Sequence, residues 1–205
     1  LVMDMDSTVI AIECIDEIAK LAGVGEQVAE VTAKAMRGEI AFNDSLTHRV
    51  ACLEGVPVSH LNQIRDSIPI MPGIQALLTH LKQHNWKLAI ASGGFTFFAD
   101  HLKARLGLDF AISNTLAVKN EQLTGKVEGE IVNADVKART VNALAEKWQI
   151  SAKQTVAMGD GANDLVMMAE SALGVACHGK PLVNEKADVA IRIGSLHSLL
   201  YFLDK

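Results

Sequence analysis

The chain has 205 residues, 49% hydrophobic and 21% charged, enough for one large domain or a core with a smaller companion. Its net charge of −5, with no block of Lys or Arg, argues against a nucleic-acid partner or an anionic membrane, so an anionic ligand would need a local positive site. No apolar run approaches the roughly 18 residues of a membrane span and no stretch reads as a signal peptide. The cysteines Cys14, Cys52 and Cys177 are odd in number, far apart and outside any C-x-x-C pattern, which fits a reducing, cytoplasmic setting.

The sequence opens inside an apolar strand, Leu1 to Met3, without an initiator Met, and reads as part of a longer chain. Asp4, Met5, Asp6, Ser7 and Thr8 follow. Residues i and i+2 of an extended chain lie on one side, so Asp4 and Asp6 face one small volume at a strand's end. Two carboxylates that close are costly unless a cation lies between them or one is protonated, which points to a Mg²⁺ site with one Asp free for chemistry. Alone, the pattern fits a strand and a polar turn equally well.

After Thr8 the apolar spacing turns helical, and no strand-like run interrupts residues 12–68. Stripes through Ile15, Ile18 and Leu21, through Val28 and Val31, through Phe42, Leu46 and Val50, and a segment from Val58 to Ser67 predict four helices with no strand between them. The segment 9–68 therefore reads as a helical insertion between the core pieces 1–8 and 69–205. Pro69 and Pro72-Gly73 mark the return. Beyond them helices alternate with short apolar strands. Ile74 to Leu81 is a helix, Lys87 to Ser92 a strand, Phe98 to Leu106 a helix and Phe110 to Ser113 a strand. Residues 114–132 suggest a β-hairpin. A long helix around Val141 precedes strands at Gln154–Met158, Leu173–Ala176 and Ala187–Ile191. This rhythm predicts an α/β fold, a parallel sheet covered by helices on both faces.

Four further places fall where strands end or helices begin, the edge at which open α/β sheets bind ligands. Ser92-Gly93-Gly94 offers a hydroxyl and closely approachable N–H groups to an anion, though a plain tight turn has the same composition. Lys137 stands near a helix start, where a cation opposes the helix dipole and suggests a phosphate partner, though a single lysine is by default solvated. Gly159-Asp160-Gly161-Ala162-Asn163-Asp164 packs two carboxylates and a carboxamide into one turn. Asp160 would complete a hard-cation site with Asp4 and Asp6, and Asn163 and Asp164 would orient substrate or ligands from behind. In the helical insertion Phe42 and Arg49, seven apart, share a helix face, and Arg49 on that apolar stripe needs an anionic partner.

With these residues in order, the chain resembles the haloacid dehalogenase superfamily of aspartyl-phosphate phosphatases, along essentially its whole length. The motifs are D-M-D-S-T at 4–8, Ser92 after a strand, Lys137, and G-D-G-A-N-D at 159–164. Glu13, Phe42 and Arg49 resemble the phosphoserine-specific branch. The resemblance implies a Rossmann-like core, an inserted helical cap and Mg²⁺-dependent hydrolysis of O-phospho-L-serine to L-serine and phosphate, the last step of serine biosynthesis, in a monomer or homodimer. It implies that Asp4 is the nucleophile and Asp6 the general acid and base. Mg²⁺ would be held by Asp4, Asp160 and the main-chain carbonyl of Asp6. Ser92, Gly93 and Lys137 would donate to phosphate, with Asn163 among the binding residues. Arg49 would read the substrate carboxylate, Glu13 the ammonium, and Phe42 would close the pocket.

Other classes fit less well. A phospho-Asp receiver domain has no helical insertion after its Asp, which should follow a central strand rather than open the chain. No G-x-G-x-x-G follows the first strand, as a dinucleotide module would require. No Cys has an Arg six residues on, as a thiol phosphatase needs, and H-E-x-x-H is absent. His80 and His84 are four apart on one helix and can share a metal, but they read as solvent-facing, opposite the Leu77/Leu81 stripe. The runner-up is a phosphatase or phosphotransferase of the same superfamily acting on another small phosphomonoester.

Overall fold

The computed structural model describes residues 1–203. Residues 204 and 205, the end of the expected core segment 69–205, lie outside the described residues. The chain opens with β1 (Val2–Met3). Four helices follow, α1 (Cys14–Leu21), α2 (Gly25–Met36), α3 (Phe42–Ala51) and α4 (Val58–Asp66), then α5 (Ile74–Gln83). Next come β2 (Ala89–Phe95), α6 (Thr96–Leu106), β3 (Phe110–Lys119), β4 (Gln122–Glu128) and α7 (Ala134–Lys147). The last part holds β5 (Val156–Gly159), α8 (Leu165–Ala169), β6 (Leu173–Cys177), α9 (Pro181–Lys186), β7 (Val189–Ile191) and α10 (Leu200–Leu203).

The strands form one seven-stranded sheet in the order β4-β3-β2-β1-β5-β6-β7, parallel except for the β3/β4 pair. The two residues of β1 lie between Ala89 and Ile90 of β2 and Ala157 and Met158 of β5. The first strand is therefore central although it opens the chain, so its place in the sequence does not separate this fold from a receiver domain; the helical segment after it does.

Strand alternation divides the core. Met3, Ile90 and Met158 point to one face and pack with Leu77, Leu78, Leu81, Phe98 and Leu102 of α5 and α6 and with the apolar sides of α1, α3 and α4. Val2, Ala89, Ala157 and Ala176 point to the other, against Val141 and Leu144 of α7 and Met167 and Met168 of α8. Fully burying a Val or Met side chain contributes roughly 1.5–3 kcal/mol, so burial of Val2 on one face and Met3 on the other holds a strand only two residues long.

Two strands differ from the sequence expectation. β2 continues through Ser92, Gly93 and Gly94, read from sequence as the turn after it, with an irregular register against β3 between Ala91 and Phe95. β3 is one strand where a short strand and a hairpin arm were expected, because its first half pairs with β2 and its second half with β4. His80 is half-buried and His84 exposed, their rings stacked 4.4 Å apart at the end of α5.

The helical segment is stitched to the sheet at two places. At its root Ile10 bridges to Ile70, Ala11 N donates to Pro69 O at 3.0 Å and Met71 N to Val9 O at 2.9 Å. At its far side the α3–α4 connection meets the hairpin: Gly55 N donates to Leu123 O, Leu123 N to Val56 O and Val58 N to Glu121 O, at 2.8 to 2.9 Å. The hairpin thus holds α3 where its Phe42–Arg49 face overhangs the carboxyl ends of the strands.

Candidate active site

The carboxyl ends of β1, β2 and β5 and the facing sides of α1 to α3 enclose a cleft of about 640 Å³. Asp4, Asp6, Glu13, Phe42, Arg49, Ser92, Gly93, Asp160 and Asn163 all line it. Lys137 and Asp164, the remaining site residues expected from sequence, stand behind its wall, fully buried.

Asp4 extends β1, its N–H donating to Met158 O of β5 at 2.8 Å. Met5 turns into the core, and Asp6 returns to the cleft, as alternation requires. The chain then bends through Ser7, at φ 56°, so that Ser7 Oγ donates to Glu13 Oε1 at 2.7 Å and Cys14 N to Asp6 Oδ1 at 3.1 Å. Gly94 faces Asp6 across the cleft floor: a Cβ there would lie 2.5 Å from both Asp6 Oδ2 and Met5 Cε. A larger residue there would force the Asp6 carboxylate and the end of the Met5 side chain to move. Gly94 N donates to Ser92 Oγ at 3.0 Å, which leaves the Ser92 hydroxyl proton to be directed at a ligand. Asn114, buried in β3, donates to Gly93 O and accepts from Val132 N, both at 2.8 Å, and so holds the Ser-Gly-Gly stretch.

Behind the cleft, Lys137 Nζ donates to Asp4 Oδ1 and to Asp164 Oδ1, both at 2.8 Å. Asn133 Oδ1 caps α7 by accepting from Val136 N at 3.1 Å, which sets the first turn that carries Lys137. Asp164 Oδ2 accepts from Asp160 N at 3.2 Å and Gly161 N at 3.0 Å, closing the G-D-G-A-N-D turn on itself. A Cβ on Gly159 would collide with the Asp164 carboxylate, so the strand must end in glycine there. Thr8 Oγ1 donates to Asp160 Oδ1 at 3.2 Å.

The charges are crowded. Burial, then Glu13 and Asp4, push Asp6 up to about 8. Burial, then Asp4 and Asp164, push Asp160 up to about 7. Burial and Asp4 push Asp164 up to about 6, against the opposing pull of Lys137. Burial opposes the charge on Lys137, but Asp164 and Asp4 hold its pKa above the ordinary lysine value. Desolvation raises Glu13 and lowers Arg49, whose charge Asp16, Glu13 and Asp6 support.

Oxygens of Asp4, Asp160 and Asp164 lie within 4.8 Å of one another. Three hard oxygen donors, with the Asp160 proton affinity raised by burial and then by its carboxylate neighbours, fit a divalent cation. Sequence reasoning placed the main-chain carbonyl of Asp6 in this set and Asp164 behind it. The side-chain cluster contains Asp164, tied to Lys137 on its other side.

Sequence reasoning gave no role to Thr8, Asp16, Ser45, Asn114 or Lys180. Lys180 lines the cleft and donates its backbone N–H to Asp160 O at 3.2 Å. Its signal was available: it is a cation directly before Pro181 at a helix start, the pattern that singled out Lys137. Thr8 closes the D-M-D-S-T motif, but its partner lies 152 residues away; Asn114 carries no local sign, and the carbonyl it donates to lies 21 residues away.

A chain with a lysine-paired carboxylate, a second of raised proton affinity and a cluster of three carboxylates at the centre of a parallel sheet has known counterparts. The family model of the haloacid dehalogenase-like hydrolases matches residues 1–171. The phosphoserine phosphatase of Vibrio cholerae is 53% identical over 203 residues, 99% of this chain and 62% of that protein. That of Haemophilus influenzae is 52% identical over 203 residues, 99% of this chain and 65% of that protein. The chain thus spans under two thirds of the length of these two relatives. A solved structure described as a phospho-aspartyl intermediate analogue of phosphoserine phosphatase superposes with a TM-score of 0.92 at 38% identity, covering 98% of this chain and 96% of that one. The chain belongs to the haloacid dehalogenase-like hydrolase family.

Proposed function

We propose that this chain hydrolyses O-phospho-L-serine to L-serine and phosphate through an aspartyl phosphate on Asp4, as the last step of serine biosynthesis in the cytoplasm. One observation carries the reading: the cleft that exposes the Asp4 and Asp6 carboxylates also exposes Arg49 and Glu13 from the helices above it. A phosphomonoester carrying both a carboxylate and an ammonium matches that pair of opposite charges. The names of the relatives support the same substrate.

In this reading Asp4 attacks phosphorus in line and becomes an acyl phosphate. Lys137 holds its carboxylate in position from behind. Ser92 and Gly93 donate to the phosphate oxygens, over which the charge is spread. Asp6 gives its proton to the departing serine oxygen, then takes one from the water that hydrolyses the intermediate. Mg²⁺, held by Asp4, Asp160 and the main-chain carbonyl of Asp6 with Asp164 adjacent, would offset the repulsion between nucleophile and phosphate dianion. Residues 9–68 act as a cap: Arg49 pairs with the substrate carboxylate, Glu13 with the ammonium, and Phe42 keeps stray water from the acyl phosphate.

The test is phosphate release from phosphoserine by the purified chain, with Mg²⁺ and after chelation, beside phosphoethanolamine and a simple alkyl phosphate. Mg²⁺-dependent turnover that favours phosphoserine by at least about tenfold in kcat/KM supports the reading, tenfold being about 1.4 kcal/mol of selective contact. Equal rates on all three substrates would reduce it to a general phosphomonoesterase.

A further inference from the structure

Ser45 lies on α3 between Phe42 and Arg49, three residues after the one and four before the other, so all three share a helix face. It lines the cleft with them. The residue is 1% exposed, and its Oγ has no hydrogen-bond partner among the described residues. Other small polar side chains on these helices bond back to the carbonyl one turn earlier: Thr32 Oγ1 to Val28 O at 3.0 Å and Thr47 Oγ1 to Asn43 O at 2.8 Å. Ser45 makes no such bond. A buried hydroxyl left unpaired is destabilising, and alanine would suit the helix better, so packing gives no reason for serine here.

Arg49 points to the reason. Its Nε donates, at 3.4 Å, to the carbonyl oxygen of Ser45 itself, which folds the guanidinium back along its helix toward the serine. None of the ion pairs among the described residues uses Arg49. A guanidinium without a paired carboxylate and a hydroxyl without a partner thus stand one turn apart on the cleft wall. A carboxylate that takes the Arg49 fork in two parallel bonds still has lone pairs to share. The Ser45 hydroxyl, free to rotate, is a donor of the right kind within the same turn.

We propose that Ser45 is a second carboxylate-binding residue, donating its hydroxyl to the amino-acid carboxylate that Arg49 holds. The inference rests on the phosphoserine reading above and adds to it the residue that completes the carboxylate subsite. It also explains why an unsatisfied hydroxyl persists in a buried position on that helix face: the substrate is its partner.

The experiment compares the parent chain with Ser45→Ala on phosphoserine and on phosphoethanolamine, which lacks the carboxylate, together with thermal unfolding of both proteins. The expected result is a KM for phosphoserine raised roughly tenfold, the loss of one hydrogen bond to a charged group, with kcat nearly kept. Phosphoethanolamine kinetics stay unchanged, and the melting temperature stays the same or rises. An unchanged KM for phosphoserine overturns the inference while the phosphoserine reading stands. Equal weakening on both substrates also overturns it, because Ser45 would then shape the cleft rather than read the carboxylate. A parent chain that does not turn over phosphoserine removes the reading and the inference together.

Discussion

Lys137 Nζ lies 2.8 Å from Asp4 Oδ1 across 133 residues of sequence, with both side chains out of solvent. The lysine bonds equally to Asp164 Oδ1. One buried cation therefore serves the nucleophile and the carboxylate that closes the G-D-G-A-N-D turn. Removing it leaves two buried carboxylates without their partner, which costs about 3–5 kcal/mol. Lys137→Met is expected to lower the free energy of unfolding by that amount, read as a lower urea midpoint, and to abolish turnover. The double variant Lys137→Met with Asp164→Asn, which removes one stranded charge, should recover part of the stability and none of the activity. Equal stability of the parent and Lys137→Met in urea titrations would show that the pair contributes nothing net to the fold.

Asp4→Asn keeps the size of the side chain and removes the attacking charge. Phosphate release should fall to background while far-ultraviolet circular dichroism and the melting transition remain those of a folded protein. Beryllofluoride, which mimics an acyl phosphate, should bind the parent with Mg²⁺ and not this variant. Turnover at a tenth of the parent rate would assign the nucleophile elsewhere.

Asp6 differs from Asp4 in its partners. It accepts from Cys14 N at 3.1 Å and meets no cation at bonding distance among the described residues. Asp6→Asn should slow both formation and hydrolysis of the intermediate. With a nitrophenyl phosphate, whose leaving group needs little protonation, the defect in the first step should shrink. Rapid-quench measurement of that step on both substrates is the check; an equal loss on each would rule out Asp6 as the general acid.

Arg49→Ala removes the fork that pairs with a carboxylate. Leaving a desolvated substrate carboxylate unpaired costs about 3–4 kcal/mol, so kcat/KM toward phosphoserine should fall by roughly 10²- to 10³-fold. Phosphoethanolamine should lose far less. Equal losses on the two substrates would move Arg49 from specificity to general cleft structure.

Asp109 provides a pH test away from the site. Its Oδ2 accepts from Leu88 N and its Oδ1 from Lys87 Nζ, each at 2.9 Å. Partial burial works against its charge, but these two bonds outweigh it and hold the carboxyl below its ordinary value of 3.8. A carboxyl with a depressed folded-state pKa stabilises the fold above its unfolded pKa and loses that contribution as pH falls through the folded value. Asp109→Asn should therefore be less stable than the parent at pH 7, and the gap should close as the pH drops below about 4. Urea titrations of both proteins from pH 7 to pH 3 measure this; a gap that stays constant would show that ionisation of Asp109 does not matter to stability.

The sequence alone determined the order of helices and strands, apart from the extent of β2 and β3, and the chemistry at the strand ends. Apolar spacing is a local property, so the four helices between β1 and α5 and the alternation of helix and strand after residue 73 could be read residue by residue. The same locality placed Asp4 and Asp6 on one side of Met5, because two successive peptide units set that geometry. A parallel sheet brings its strand ends to one edge, so D-M-D-S-T, Ser92 and G-D-G-A-N-D had to gather there. Tertiary structure decided which of these groups touch. The sheet order makes a two-residue strand central, with β2 on one side and β5 on the other, and no local pattern encodes strand order. That order brings Lys137 between Asp4 and Asp164, where sequence gave it a phosphate. The β3–β4 hairpin, which had no assigned purpose in the sequence, bonds to the α3–α4 connection and sets where Phe42, Ser45 and Arg49 face. Ser45 was illegible for the same reason: a serine in a helix is ordinary until the packing around it shows that its hydroxyl is buried and has no partner.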